Sequence, residues 1–205
     1  MTGRIDTRVE FRRTLSGGPA AVYVLPHRGE EFLKLGFSRD PLARMQNLHP
    51  RYFDFFDIER AILIETPRVK DARAIETQLK RRLAEHRAPA PLDIRHEADG
   101  ESEWYRGAYE IIAATLGEYE TLGYTVFRDG RMQLAERLRK QSAQMFEWAV
   151  LQWRAINEGD VFTVSRATRA LTDALDAYRW FGIDIADVVP PDVAAWHDNC
   201  SAEKT

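Results

Sequence analysis

The stretch from Ala20 to Arg44 constrains the fold more than any other. Val22 to Leu25 is a β-branched and aromatic run stopped by Pro26, and Phe32 to Phe37 is a second such run, ended by Gly36 and Ser38. Between them lie His27, Arg28, Gly29 and Glu30, polar and including a glycine, so the two runs read as a β-hairpin. Asp40 suits a helix N-cap and Pro41 the first helical position, which predicts a helix over 41–48. Leu42, Met45 and Leu48 recur on one face of it, leaving Arg44 offset. Strand, hairpin, strand and helix thus carry polar groups at three chosen points: Tyr23, Lys34 and Arg44.

Downstream, Ile58 to Ile64 reads as a strand whose apolar run from Ala61 suits a central position. Val69 to Glu85 is an amphipathic helix with Ala72, Ile75, Leu79 and Leu83 on its apolar stripe. Pro89 and Pro91 end it and open a loop to Gly100, either facing substrate or merely linking. A helix over 108–122 and a short strand or return segment over 124–127 follow, and Asp129-Gly130 marks a boundary. Residues 132–157 contain no glycine or proline and predict one helix with Leu134, Leu138, Met145, Ala149 and Ile156 at its apolar positions. A second helix over 161–181 shows Val164, Ala167, Leu171, Ala174 and Tyr178, and the pair forms an antiparallel hairpin. Its aromatics Trp148, Trp153, Trp180 and Phe181 suit a core or an interface. The fold class is α+β: a small mixed or antiparallel sheet flanked by helices, with a C-terminal helical extension.

Composition narrows the function. No apolar run reaches the roughly 18 residues of a membrane span, and the charged first 13 residues lack a secretory apolar core. Cys200 is the sole cysteine, which excludes an internal disulfide and a cysteine metal cluster and points to a reducing cytoplasm. The net charge of −3 hides an asymmetry: residues 1–107 hold 19 basic and 17 acidic side chains, while the remainder holds 10 and 15. Arg8, Arg12, Arg13 and the run from Arg68 to Arg87 form basic clusters that suit phosphate contact or simple solvation. There is no phosphate-cradling glycine loop, zinc spacing or Gly-x-Ser-x-Gly elbow.

The ordered motifs resemble the GIY-YIG nuclease family. Val22-Tyr23-Val24 matches its first motif and Lys34-Leu35-Gly36 its second, with Arg44 eight residues after the glycine. Ala74-Ile75-Glu76-Thr77-Gln78-Leu79-Lys80 matches the later glutamate helix. Two departures stand out: Lys34 replaces the second motif's tyrosine, and His86-Arg87-Ala88 fills the region of the family's asparagine. A lysine there, with Glu103-Trp104-Tyr105 downstream, is similar to the branch found in phage proteins and meiotically up-regulated proteins. The resemblance covers 18–107 and implies an N-terminal arm (1–17), a nuclease domain (18–128) and a helical hairpin extension (129–205).

Phosphodiester hydrolysis needs an activated water, stabilised phosphoryl oxygens and help for the leaving oxygen, much of which a divalent metal supplies. Mg²⁺ takes as few as one or two protein carboxylates, so one well-placed glutamate is enough. Glu76, at the edge of its apolar stripe, is the implied ligand for Mg²⁺ or Mn²⁺; the bland alternative is a surface Glu76–Lys80 pair. Arg44 fits phosphoryl oxygens with its planar fork, or is a solvated helix arginine. In the family, a tyrosine like Tyr23 lies beside the water and relays its proton; the alternative is a core tyrosine with a satisfied hydroxyl. Lys34 faces opposite Leu33 and Leu35, toward phosphate or water in the site, or toward solvent. His49 and Glu103 are secondary candidates, and Arg28, Arg39 and Lys80 are candidate nucleic-acid contacts. The expected function is metal-dependent endonuclease action on DNA, with RNA left open. The rival is a non-catalytic module binding nucleic acid or a partner chain, with the C-terminal helices as a docking or homodimer surface.

Overall fold

The computed structural model describes residues 17–92, 94 and 102–202. The N-terminal arm with its arginines, and most of the loop before Glu103, lie outside the described residues. The chain divides into two compact units, one of residues 17–49 and 54–130, the other of residues 50–53 and 131–202.

The first unit is built on a six-stranded sheet in the order β4-β5-β2-β1-β3-β6, every neighbouring pair antiparallel. The strands are β1 (Ala20–Pro26), β2 (Phe32–Ser38), β3 (Ile62–Thr66), β4 (Arg87–Ala88), β5 (Trp104–Arg106) and β6 (Thr125–Phe127). β1 and β2 form the expected hairpin, closed by a bond from the His27 amide to the Phe32 carbonyl (2.8 Å), with Gly29 at φ 82°, where a side chain would be strained. Gly36 does not end β2 as the sequence suggested: the strand runs through it to Ser38, because Tyr23 of β1 lies across it.

Register decides which side chains share a face. Tyr23 pairs with Gly36 and Leu25 with Lys34, so these four point one way. Val22, Val24, Leu33, Leu35, Ile62 and Ile64 point the other way, and helix α3 (Val69–Arg82) packs Ala72, Ile75 and Leu79 onto them. After β2 come α1 (Pro41–Leu48) and the short α2 (Tyr52–Phe55). As expected, Asp40 caps α1 by accepting from the Ala43 amide (3.1 Å), with Pro41 beginning the helix and Leu42, Met45 and Leu48 buried.

Expected elements of this unit come out shorter: the helix expected over 69–85 ends at Arg82. Residues 58–60 form a 3₁₀ turn, and the strand begins only at Ile62. The helix expected over 108–122 is two, α4 (Tyr109–Ala113) and α5 (Leu116–Thr121). Both the amide and the hydroxyl of Thr115 bond the Ile112 carbonyl (2.9 and 2.8 Å), and the main chain turns there.

In the second unit, the single helix expected over 132–157 is α6 (Arg131–Lys140) and α7 (Ser142–Glu158). The Leu138 carbonyl accepts from the Gln141 amide (3.0 Å) and from the Tyr178 hydroxyl (3.1 Å), so a tertiary bond takes the acceptor that a continuous helix would use. α8 (Val161–Trp180), capped by Asp160, packs along α7 with Ala167, Leu171, Leu175 and Tyr178 buried. α9 (Pro191–Ala202), not foreseen, closes the unit through His197, whose Nε2 lies 2.9 Å from Asp176. Arg51 ties residues 50–53 to α8 through Asp173 (2.9 Å) and Asp176 (2.8 Å). Among the described residues no helix is long and apolar enough to cross a membrane.

Candidate active site

Strand alternation delivers Tyr23 and Lys34 to the same face of the hairpin, and both are almost fully buried, at 2% and 0% exposure. That answers the question the sequence left open for Lys34: it does not point to solvent. Its ammonium donates to the Ser102 carbonyl, lies 3.6 Å from Glu103 Oε2, and sits over the Trp104 ring, 5.8 Å from its centroid. Trp104 is placed there by register, since β5 pairs it with Lys34. Phe56 stacks on the same indole, which gives the lysine an apolar wall.

Glu76 enters from the other layer. It lies on α3 with 6% exposure, and Lys80, one turn later, is 3.2 Å from its Oε1. Glu103 joins the two layers: it meets Lys34 from β2 and accepts a hydrogen bond from Lys80 of α3. Its backbone bonds β2 as well, the Leu35 amide donating to its carbonyl (3.1 Å), and its φ of 70° is the one positive value at a non-glycine among the described residues. The charged chain therefore runs Lys34, Glu103, Lys80, Glu76. Each carboxylate in it has a cation, which burial demands.

Electrostatics bind Tyr23 and Arg44 into the same group. Burial raises the Tyr23 hydroxyl above its usual value, while a hydrogen bond and the charge of Arg44 pull it down and the charges of Glu103 and Glu76 push it up. Burial lowers the Lys34 ammonium to about 8; Arg44 adds to that, and Glu103 opposes it. Burial raises the Glu76 carboxyl against the pull of Lys80. For Lys80, burial acts downward but is outweighed by the bonds to Glu103 and Glu76, which raise it. Five side chains from two strands, two helices and a loop thus sense one another: Tyr23, Lys34, Arg44, Glu76 and Glu103.

The remaining candidates fall elsewhere or take other partners. The His49 ring stacks on Phe55 (4.6 Å), which also meets His27 edge-on (4.5 Å). The exposed Arg28 bonds the Phe55 carbonyl through its amide (2.9 Å), and Arg39 donates to the Gly17 carbonyl (2.7 Å). Lys80, a candidate nucleic-acid contact from the sequence, is held between two acids. Sequence reasoning missed that role and the part of Gly36, where a Cβ would stand 2.4 Å from the Tyr23 hydroxyl. The Glu76–Lys80 spacing signalled half of the first. The Lys80–Glu103 contact spans 23 residues and carries no local signal.

Two acids lie in this group, Glu76 and Glu103, each paired with a lysine. Among the described residues, no group of three or more His, Cys, Asp or Glu side chains is arranged to hold a metal. An ion that keeps most of its water and takes one or two carboxylates fits this donor set. No curated protein and no solved structure matches the chain. Residues 20–120, which take in all five grouped side chains, match the family model of the T5orf172 domain, a nuclease-associated domain.

Proposed function

We propose that residues 18–128 act as a divalent-metal-dependent endonuclease domain hydrolysing DNA phosphodiester bonds. The observation that carries this reading is the gathering of Tyr23, Lys34, Arg44, Glu76 and Glu103 around one charged, largely buried point. Glu76 would hold Mg²⁺ or Mn²⁺, with Glu103 beside it. Such an ion supplies charge to the phosphoryl oxygens and acidifies a bound water.

The protein's own groups supply the rest. The Arg44 guanidinium stays charged and offers parallel donors to phosphoryl oxygens. Lys34 Nζ, held down to about 8, is neutral in part near neutral pH and accepts the proton of the attacking water. Tyr23 keeps its own proton, since burial raises it, and its hydroxyl donates to the water or to a phosphoryl oxygen. Lys34 thus takes the place of the tyrosine that the resemblance led one to expect.

The rival reading, a binding module without catalysis, draws on one observation: Lys80 already pairs with both acids. Nicking of supercoiled plasmid with and without Mg²⁺ or Mn²⁺ separates the two. The expected result is metal-dependent nicking that ethylenediaminetetraacetate stops. DNA binding without cleavage in any divalent metal would overturn the nuclease reading and leave the binding module.

A further inference from the structure

Lys80 stands where the reading above puts a cation. Its ammonium is hydrogen-bonded to Glu103 and lies 3.2 Å from Glu76 Oε1, so one positive charge bridges the two acids. Lys34 already holds the other oxygen of Glu103 at 3.6 Å. A doubly charged ion entering beside both ammonium groups would meet strong like-charge repulsion. Lys34 cannot move easily, being enclosed by Trp104 and fully buried. Lys80 can: a quarter of its side chain is exposed, and it is a point charge on a flexible four-carbon stem.

We propose that the Lys80 ammonium occupies the cation seat between Glu76 and Glu103 in the metal-free protein and swings out to let a divalent ion in, with a nucleic-acid phosphate receiving the displaced ammonium. This rests on the nuclease reading and adds its regulation. Metal and nucleic acid then load together, because each improves the other's site, and by linkage the gain in affinity is the same in both directions. Without nucleic acid the acids stay paired with Lys80, and the metal binds weakly. A residue that contacts only phosphate would add affinity without competing for the seat. Lys80 does both, and so couples the two.

The test is Mn²⁺ affinity of the full chain, read from the electron paramagnetic resonance of free Mn²⁺. It is measured for wild type, Lys80→Met, Lys80→Gln and Glu76→Gln, alone and with a phosphorothioate DNA duplex that resists cleavage. Both Lys80 variants should bind Mn²⁺ at least about tenfold tighter than wild type without DNA, as removing a charge in contact with the site predicts. The duplex should tighten Mn²⁺ binding to wild type several-fold and to the variants little. Lys80 variants no tighter than wild type, or a wild type indifferent to the duplex, overturn the proposal. If Glu76→Gln still abolishes Mn²⁺ binding in that case, the nuclease reading survives. Absence of Mn²⁺ binding by every form, with and without duplex, overturns both. Should the variants fail to fold, ¹³Cε lysine spectra of the wild type decide. Mg²⁺ with duplex must move the Lys80 signal, and an unmoved signal in a metal-bound protein rejects the exchange.

Discussion

Tyr23 fills the space that Gly36 leaves open on the neighbouring strand. A methyl group at Gly36 would stand 2.4 Å from the tyrosine oxygen and 2.6 Å from its ring carbon Cζ. Both residues lie in the hairpin and Tyr23 is buried, so an added methyl group would force the ring to shift. Gly36→Ala should destabilise the protein by about 1–3 kcal/mol, the usual range for overpacking. It should also lower cleavage at least as far as Tyr23→Phe does. Urea denaturation and plasmid nicking of both variants check this; a Gly36→Ala protein with wild-type stability would show that the ring is not seated there.

Lys34 makes stability depend on pH in a known direction. Its folded value is lowered to about 8 by burial and then by Arg44, whereas an unfolded lysine titrates near about 10.4. Between those values the unfolded chain holds more protons, so stability rises with pH. Below about 8 the charged form is present in both states and its burial cost is fully felt. Urea melts of the metal-free protein at about pH 7.5 and about pH 9.5, each compared with Lys34→Met, isolate the effect. Wild type should gain on the variant at the higher pH by an amount of order 1 kcal/mol. A parallel response of the two proteins would reject a depressed lysine.

Glu76→Gln keeps size and hydrogen-bonding capacity but deletes the charge that a hard cation needs. It should abolish metal-dependent cleavage while leaving the fold and DNA binding largely intact. Arg44→Ala should abolish turnover and also weaken binding, having lost a phosphate contact. Lys34→Ala should reduce turnover by an order of magnitude or more. Single-turnover cleavage of labelled DNA, with a binding measurement for each variant, reads all three. A Glu76→Gln protein cutting at the wild-type rate would remove the nuclease assignment from this site.

Leu171 lies on the buried stripe of α8 and has no exposure. Leu171→Ala should cost roughly 2–5 kcal/mol through lost burial and the cavity left behind. Denaturant melts of the full chain test this; an unchanged midpoint would contradict the packing of α7 on α8.

The hairpin, the capped α1 and the stripe of α3 were legible because their signals are local: alternation, Asp40-Pro41, and apolar gaps of three and four. The two helix breaks were not, because neither contains a glycine or proline. One follows from a threonine bonding its own helix, the other from a tyrosine 40 residues away. Candidate residues were legible as an ordered series, but their partners were not. Nothing near Lys34 in sequence announces Trp104 or Glu103, which register alone brings to it. The missing asparagine and the substituted tyrosine looked like losses. In space, Lys34 occupies a buried position with partners of its own.

Glu103 holds a left-handed backbone, φ 70°, that costs a side-chain-bearing residue roughly 1–2 kcal/mol. Glycine would sit there without that penalty. Removing the carboxylate, however, would leave the fully buried Lys34 without its acidic partner, and breaking a buried pair costs roughly 3–5 kcal/mol. Selection for heat resistance and selection for cleavage should therefore both keep the acid at position 103 and tolerate the awkward backbone.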